Sequence, residues 1–316
     1  MNTKEFRENV AKKFTEMLEN NDNLTWLKGW KAQNTPFNGV NKNRYKGINA
    51  LVLMLIMQER GIKDPRWYTM NQIADVKGYC HKGQKWHLKK GSKGQCVEYW
   101  FPYDLTNKKM VSWDDYNKAI KAGRDEKDFT LRARYSYVFS AEDIEGLPEF
   151  EAFSNSEVKV SEVVELLSEK MGVPILDDGK DQAYYSPSED KIHLPKMDSF
   201  ISSDFYNITA LHELAHSTGH ASRLNRKISN VFGSEDYAFE ELVAEMTAVF
   251  SSVNIDTSMN IDNNLAYVKS WAECIKTKPD FLTKAIKAAQ EAADYMDMLI
   301  GFACKKNETE NEMIKA

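Results

Sequence analysis

The chain has 316 residues, 42% of them hydrophobic and 28% charged, with a formal net charge of −5. This composition excludes a disordered or fibrous protein, and the length suits two domains that each bury a core. The charge is split: residues 24–110 hold 16 Lys and Arg against 5 Asp and Glu, a net of +11, so the rest carries −16, a pattern expected when one part meets a polyanion and the other does not.

The start, Met1 to Val10, is polar and unlike a secretory leader. No apolar run approaches the roughly 20 residues of a membrane span. Cys80, Cys96, Cys274 and Cys304 form no Cys-x-x-Cys pair. A cytoplasmic protein with free thiols and no membrane contact is expected.

Phe6, Val10, Phe14, Met17 and Leu18 recur at helical spacing, which predicts an amphipathic helix over 3–20. An Asn-, Gly- and Pro-containing loop carries Trp26 and Trp30. Leu51 to Met57 reads as a buried helix ending at Gly61. Pro65 to Thr69 leads into a short helix with Thr69 as N-cap. Lysines then alternate with glycines up to Gly94. Strands are predicted over Cys96–Phe101 and Leu131–Phe139, which pair, with a helix over Asp114–Ala122 between them.

A break follows where Gly146, Pro148 and Ser154-Asn155-Ser156 interrupt the pattern. Beyond it come a helix over Ser161–Met171, a hairpin from Ala183–Tyr185 and Lys191–Leu194, and helices near 203–218, 235–252, 263–276 and 280–302. The fold class is therefore α+β in two domains: an α+β domain over 1–147, a mainly helical domain with a small sheet over 158–305, and a polar tail over 306–316.

The stretch His212-Glu213-Leu214-Ala215-His216 reads H-E-x-x-H within the helix at 203–218. Two imidazoles four residues apart lie on one helix face and can reach one Zn2+ ion, or another divalent metal. Glu213 beside the first is placed to take a proton from the attacking water. Three protein ligands are usual. An extended three-histidine motif fails because its last position is Ser222, and His220 comes two residues early. The third ligand is expected from the next helix, where Glu241 and Glu245 are one turn apart. Glu241 is assigned as ligand, with Glu240 as the fallback, and Glu245 as the group orienting a ligand imidazole. Tyr237 is a candidate to stabilise an oxyanion. His193 reads as a plain strand residue, with the lining of a substrate cleft as the alternative, and His81 and His87 lack metal spacing.

In the basic region, aromatics such as Tyr45, Trp67, Trp86, Tyr99 and Trp100 alternate with cations. Positive charge tracks phosphates and rings stack on unpaired bases, so single-stranded DNA is the expected partner. For Trp67, Tyr99 and Trp100 a place in the core serves equally well. The expected backbone contacts are Lys82, Lys85, Lys89, Lys90 and Lys93, with Arg44, Tyr45 and Lys46 before a helix N-terminus, which favours anions.

Both halves together resemble the ArdC-type antirestriction proteins of mobile elements. The N-terminal likeness rests on Asn43-Arg44-Tyr45-Lys46-Gly47-Ile48-Asn49, on Trp67-Tyr68-Thr69 with Gln72, on Gly78 to Gly94 and on Val97–Phe101. The C-terminal likeness rests on His212 to His220, Arg223-Leu224, Glu240 to Glu245, and Ala266-Tyr267 with Ser270-Trp271. The resemblance implies an N-terminal single-stranded-DNA-binding domain, a C-terminal zincin-like metallopeptidase domain, and protection of incoming DNA from host restriction. Two other readings stand beside it: a non-catalytic single-strand binder whose metal site is structural, and an intracellular regulatory zinc protease with its own protein substrate.

Overall fold

The computed structural model describes residues 2–20, 35–75, 85–151, 160–178, 182–200, 202–228, 234–251, 265–278 and 280–301. Lys82, His81, Cys80, Cys304, Trp26, Trp30 and the expected tail lie outside them, and the side chains of Ala266 and Tyr267 are likewise not described.

The N-terminal half begins with helix α1, Thr3–Asn20, whose Phe6, Val10, Phe14 and Leu18 are buried at helical spacing. Its first turn is closed reciprocally, the Glu5 amide donating to the Asn2 side chain and the Asn2 amide to the Glu5 carboxylate. A short strand, β1 (Phe37–Asn38), precedes α2, Gly47–Arg60, in which every residue from Ala50 to Met57 is buried. A helix apolar all round needs partners on all sides, and α2 packs in a core cluster with residues from both halves of the chain. It ends at Gly61, whose φ of 66° only glycine adopts cheaply.

Residues Arg66–Thr69 form β2, and Met70–Ile73 the short α3. Thr69 caps α3 as expected, in a capping box with Gln72. The expectation that Pro65 to Thr69 is a mere lead-in was incomplete: Arg66, Trp67 and Tyr68 are all buried, so this strand shows no alternation to read. β3 (His87–Leu88), β4 (Gln95–Asp104), β5 (Lys109–Met110), α4 (Trp113–Lys121), β6 (Phe129–Ser140) and β7 (Ile144–Glu145) follow. The main sheet runs β1-β2-β6-β4-β5, and β4 and β6 form a long antiparallel ribbon from Gln95↔Val138 to Asp104↔Phe129. β3 and β7 form a separate two-stranded pair.

The C-terminal half consists of α5 (Val160–Met171), β8 (Ile175–Asp177), β9 (Tyr184–Ser186), β10 (Lys191–Leu194), α6 (Ser203–Ser217), α7 (Glu235–Phe250), α8 (Leu265–Thr277) and α9 (Asp280–Leu299). β9 and β10 make the expected hairpin, and β8 adds a parallel strand against β10 that the sequence reading missed. The molecule is thus α+β, as expected.

The main core crosses the expected domain boundary. Phe6, Phe14, Leu51, Leu55 and Trp67 from the N-terminal half pack in one cluster with Leu242, Met246, Trp271, Phe281 and Ile286 from the C-terminal half. Polar contacts follow the same seam: the Gly47 amide at the start of α2 donates to Gln290 Oε1 at 2.8 Å, and Lys46 Nζ pairs with Asp294 at 2.7 Å. A second core joins α5, β9, β10 and α6, with Leu167, Ile192, Leu211 and Leu214 fully buried. Helix α7 is the wall between the two, sending Leu242, Val243 and Met246 into one and Ala244 into the other. Packing on both sides fixes the helix that carries Glu240, Glu241 and Glu245.

Candidate metal centre

Helix α6 starts at Ser202, whose hydroxyl accepts from the Phe205 amide, and α7 at Ser234, whose hydroxyl accepts from the Tyr237 amide. Leu211, Leu214 and Ala215 bury the core face of α6. The four-residue spacing then puts His212 and His216 together on the face towards α7. Their rings stand nearly perpendicular, with centroids 4.7 Å apart, and their Nε2 atoms converge to 3.1 Å.

Glu241 closes the group. Its Oε2 is 3.7 Å from His212 Nε2, and its Oε1 is 3.5 Å from His216 Nε2. Ligand atoms of these three residues all lie within 4.8 Å of one another, the one such group among the described residues. Two imidazoles and a carboxylate converging from two rigid helices are a fitting donor set for a first-row divalent cation. The expected triad of His212, His216 and Glu241 is therefore brought together. His220 stands apart, its Nδ1 2.8 Å from Ser222 Oγ.

Each histidine has a second carboxylate behind it. Glu245 Oε1 lies 3.8 Å from His212 Nδ1, near the place expected for an orienting group but longer than a hydrogen bond. Glu240, expected only as a fallback ligand, instead backs His216, with Oε1 3.3 Å from Nδ1. It is 2% exposed and is gripped by Arg226, which the sequence reading missed. Arg226 also donates to the Ala215 carbonyl and to Thr218 Oγ1, tying the loop after α6 back to its last turn. No periodicity points to Arg226, because it lies in that loop.

The electrostatics follow from the crowding. Burial works against a charge on His212, but the Glu241 hydrogen bond and the charges of Glu245 and Glu213 outweigh it and raise its pKa. Burial likewise opposes ionisation of Glu241, yet the two histidines hold it well below the usual carboxylate range, helped by a hydrogen bond from Tyr237. Glu245 has no such bond, and burial pushes it up to about 7. Glu213 is buried on α6 and close enough for its charge to act on both imidazoles.

His193 is neither a ligand nor a plain strand residue. Its ring stacks on Tyr184 with centroids 4.7 Å apart, held between Asp178 at 2.7 Å and Glu189 at 2.8 Å. His87 faces Glu145 across the small sheet at 3.3 Å.

The expected DNA contacts divide. Lys85, Lys89, Lys90 and Lys93 are exposed. Lys89 Nζ donates to the Glu142 carbonyl. Tyr45 is half-buried, its ring packed against the main core, where burial pushes the phenol up to about 12. The anion site expected at the start of α2 is taken from within, since Gln290 caps the Gly47 amide and Asp294 neutralises Lys46. Arg44 is half-buried and forms an isolated β-bridge with Phe37.

Two family descriptions cover most of the chain. Residues 4–139 match the N-terminal domain of anti-restriction factor ArdC, and residues 162–290 match a zincin-like metallopeptidase family. A DNA primase TraC of Escherichia coli is 34% identical over 303 residues, 93% of this chain and 20% of its own length. A second TraC from the same organism is 33% identical over 313 residues, 96% of this chain and 28% of its own length. The chain thus spans a fifth to a quarter or so of these curated relatives. The metal-free crystal structure of antirestriction ArdC from plasmid R388 superposes with a TM-score of 0.71 at 27% identity, covering 95% of this chain and 99% of that one. The Mn(II)-bound structure of the same protein gives 0.70 at 28% identity, with the same coverage.

Proposed function

Because this chain belongs to the ArdC-type antirestriction family, we propose that it is a cytoplasmic antirestriction protein of a mobile element, binding single-stranded DNA and carrying a metallopeptidase-type site. The observation that carries the metal half of this reading is the convergence of His212, His216 and Glu241 beside a buried Glu213. His212, His216 and Glu241 would hold a divalent metal, Zn2+ or Mn2+, the latter being the ion in the R388 relative. When bound, the ion supplies Lewis acidity and makes water a better acid. Glu213 takes the proton from the attacking water, and Glu240 and Glu245 keep the two imidazoles in register from behind. Tyr237, hydrogen-bonded to the Glu241 carboxylate, is a candidate to stabilise a developing oxyanion.

The DNA half of the reading rests on the local charge of +11 over residues 24–110 and on the exposure of Lys85, Lys89, Lys90 and Lys93. The relatives described as DNA primases accord with a DNA ligand.

The test has two parts. Metal titration of wild type, His212→Ala and Glu241→Ala should show one tight divalent ion in wild type only. Wild-type affinity for an oligonucleotide should exceed that for its duplex and fall steeply with salt. Retained metal in both variants, or a flat salt response, removes the corresponding half. Glu213→Gln decides between a catalytic and a structural metal. Loss of protection with metal and DNA binding intact supports peptidase action. Full protection favours the non-catalytic binder. An intracellular regulatory protease is favoured instead by metal-dependent cleavage without DNA affinity.

A further inference from the structure

The β4–β6 ribbon has one face whose chemistry the lysine-rich loop does not share. In the register Tyr99↔Arg134, Phe101↔Arg132, Tyr103↔Thr130, directly opposed residues share a face, and residues two apart along each strand share it too. One face of the ribbon therefore presents Tyr99, Phe101 and Tyr103 in a row, flanked by Arg132 and Arg134 on the neighbouring strand. The acidic residues of these strands, Glu98 and Asp104, fall on the opposite face.

That opposite face is occupied in its outer half. Tyr116 of α4 meets Phe129 edge-on at 5.0 Å, and Arg124 covers the same ring at 4.4 Å while pairing with Asp104 at 2.6 Å. On the aromatic face the three rings remain half-exposed, and both arginines are exposed. Tyr99 and Phe101 lie 6.4 Å apart with planes 19° from parallel, close to twice the roughly 3.4 Å repeat of a nucleic-acid strand. Arg132 lies over the Tyr103 ring at 3.5 Å, a cation–π contact that keeps its guanidinium on this face.

We propose that this face of the ribbon, Tyr99, Phe101, Tyr103, Arg132 and Arg134, is the platform on which unpaired bases of single-stranded DNA stack. The occupant follows from the chemistry. Rings in a row at about twice the base repeat suit any unpaired base, since every base has a π-face. Two arginines on this face, with the strands' own carboxylates Glu98 and Asp104 on the other, suit a phosphate backbone, and an acidic peptide has no bases to stack. Duplex DNA keeps its bases inside, so it gains only the arginine contacts. The proposal rests on the single-strand reading above and places base contacts on the ribbon beside the backbone contacts expected of the lysine loop. Gln95 at the start of β4 is two residues from Lys93, so one strand can pass from platform to loop.

The test uses the full chain and a fluorescein-labelled oligo-dT of about 20 nucleotides, longer than a typical single-strand site, followed by anisotropy at several salt concentrations. Phe101→Ala is expected to weaken binding about tenfold, with the salt slope unchanged. Arg132→Ala is expected to lower the slope by about 0.7, one phosphate contact. A triple Lys89→Ala, Lys90→Ala, Lys93→Ala variant should weaken single strand and duplex alike. Metal uptake and circular dichroism matching wild type show that each variant is folded. Arg132, being exposed, is the safer substitution if Phe101→Ala unfolds. Wild-type affinity in both Phe101→Ala and Arg132→Ala overturns the platform and leaves the single-strand reading standing on the lysines. Equal affinity of wild type for duplex overturns base stacking. Absence of any oligo-dT binding by wild type overturns the single-strand reading and the platform with it.

Discussion

Arg226 holds Glu240 in two places, Nη2 donating to Oε1 at 2.6 Å and Nε to Oε2 at 3.1 Å. Because Glu240 Oε1 also faces His216 Nδ1, the guanidinium reaches the candidate metal centre at one remove. Removing such supporting groups typically costs about 10–100-fold in metal affinity. Arg226→Ala should therefore weaken Mn2+ or Zn2+ binding by that order in a chelator-competition titration, while Arg226→Lys restores part of it. The buried Glu240 carboxylate, left without its arginine, should also cost about 3–5 kcal/mol of stability. An unchanged metal affinity would show that His216 needs no support.

The core that joins the two halves should make them melt together. Phe14 on α1 is fully buried in the cluster that includes Leu242 and Phe281. Phe14→Ala should cost about 3–5 kcal/mol. Calorimetry should show one transition moving down as a whole. Two transitions, with only the first shifted, would mean that the halves fold as separate units.

Gly39 is a packing constraint of a different kind. A Cβ there would stand 2.0 Å from the Tyr68 ring, which is itself 2% exposed and cannot swing away. Gly39→Ala should lose about 1–3 kcal/mol or more in denaturant unfolding, as overpacking does. In the double variant with Tyr68→Leu the losses should be less than additive, because the clash partner is gone.

The acid side of the stability curve should depend on Asp190. Arg223 pairs with both of its oxygens, and the Tyr185 hydroxyl donates to it at 2.7 Å. The Arg223 hydrogen bond holds this carboxyl below its ordinary range. A depressed carboxyl stabilises the fold above its unfolded pKa, near 3.9, and that contribution is lost as pH falls below it. Arg223→Gln should therefore flatten the fall in melting temperature between about pH 5 and 2. An equally steep fall in the variant would place the acid sensitivity elsewhere.

Local patterns were legible where one face of an element is wet. Phe6, Val10 and Phe14 marked α1, and Thr69 with Gln72 marked the start of α3, because spacing and capping are properties of a few neighbouring residues. β2 was not legible, since Arg66, Trp67 and Tyr68 are buried together and leave no alternation. β8 was missed because Ile175–Asp177 is three residues long and gains its identity only by pairing with β10.

The site divides along the same line. His212, Glu213 and His216 are one turn of one helix, so the sequence alone placed them together. It also pointed to a glutamate of α7 as the candidate third ligand, because Ser222 cannot stand in for a histidine, and the charge split of +11 against −16 marked the basic half. Only the tertiary structure decided how α7 is rotated. Its burial between two cores turns Glu241 to the histidines and Glu240 to His216 Nδ1 and Arg226. Only the tertiary structure turned Tyr45 inward and set Lys46 against Asp294. A sequence records which charges and rings a segment owns. Which side of a helix or strand meets a partner far along the chain is set by packing, and packing exists only once the chain has folded.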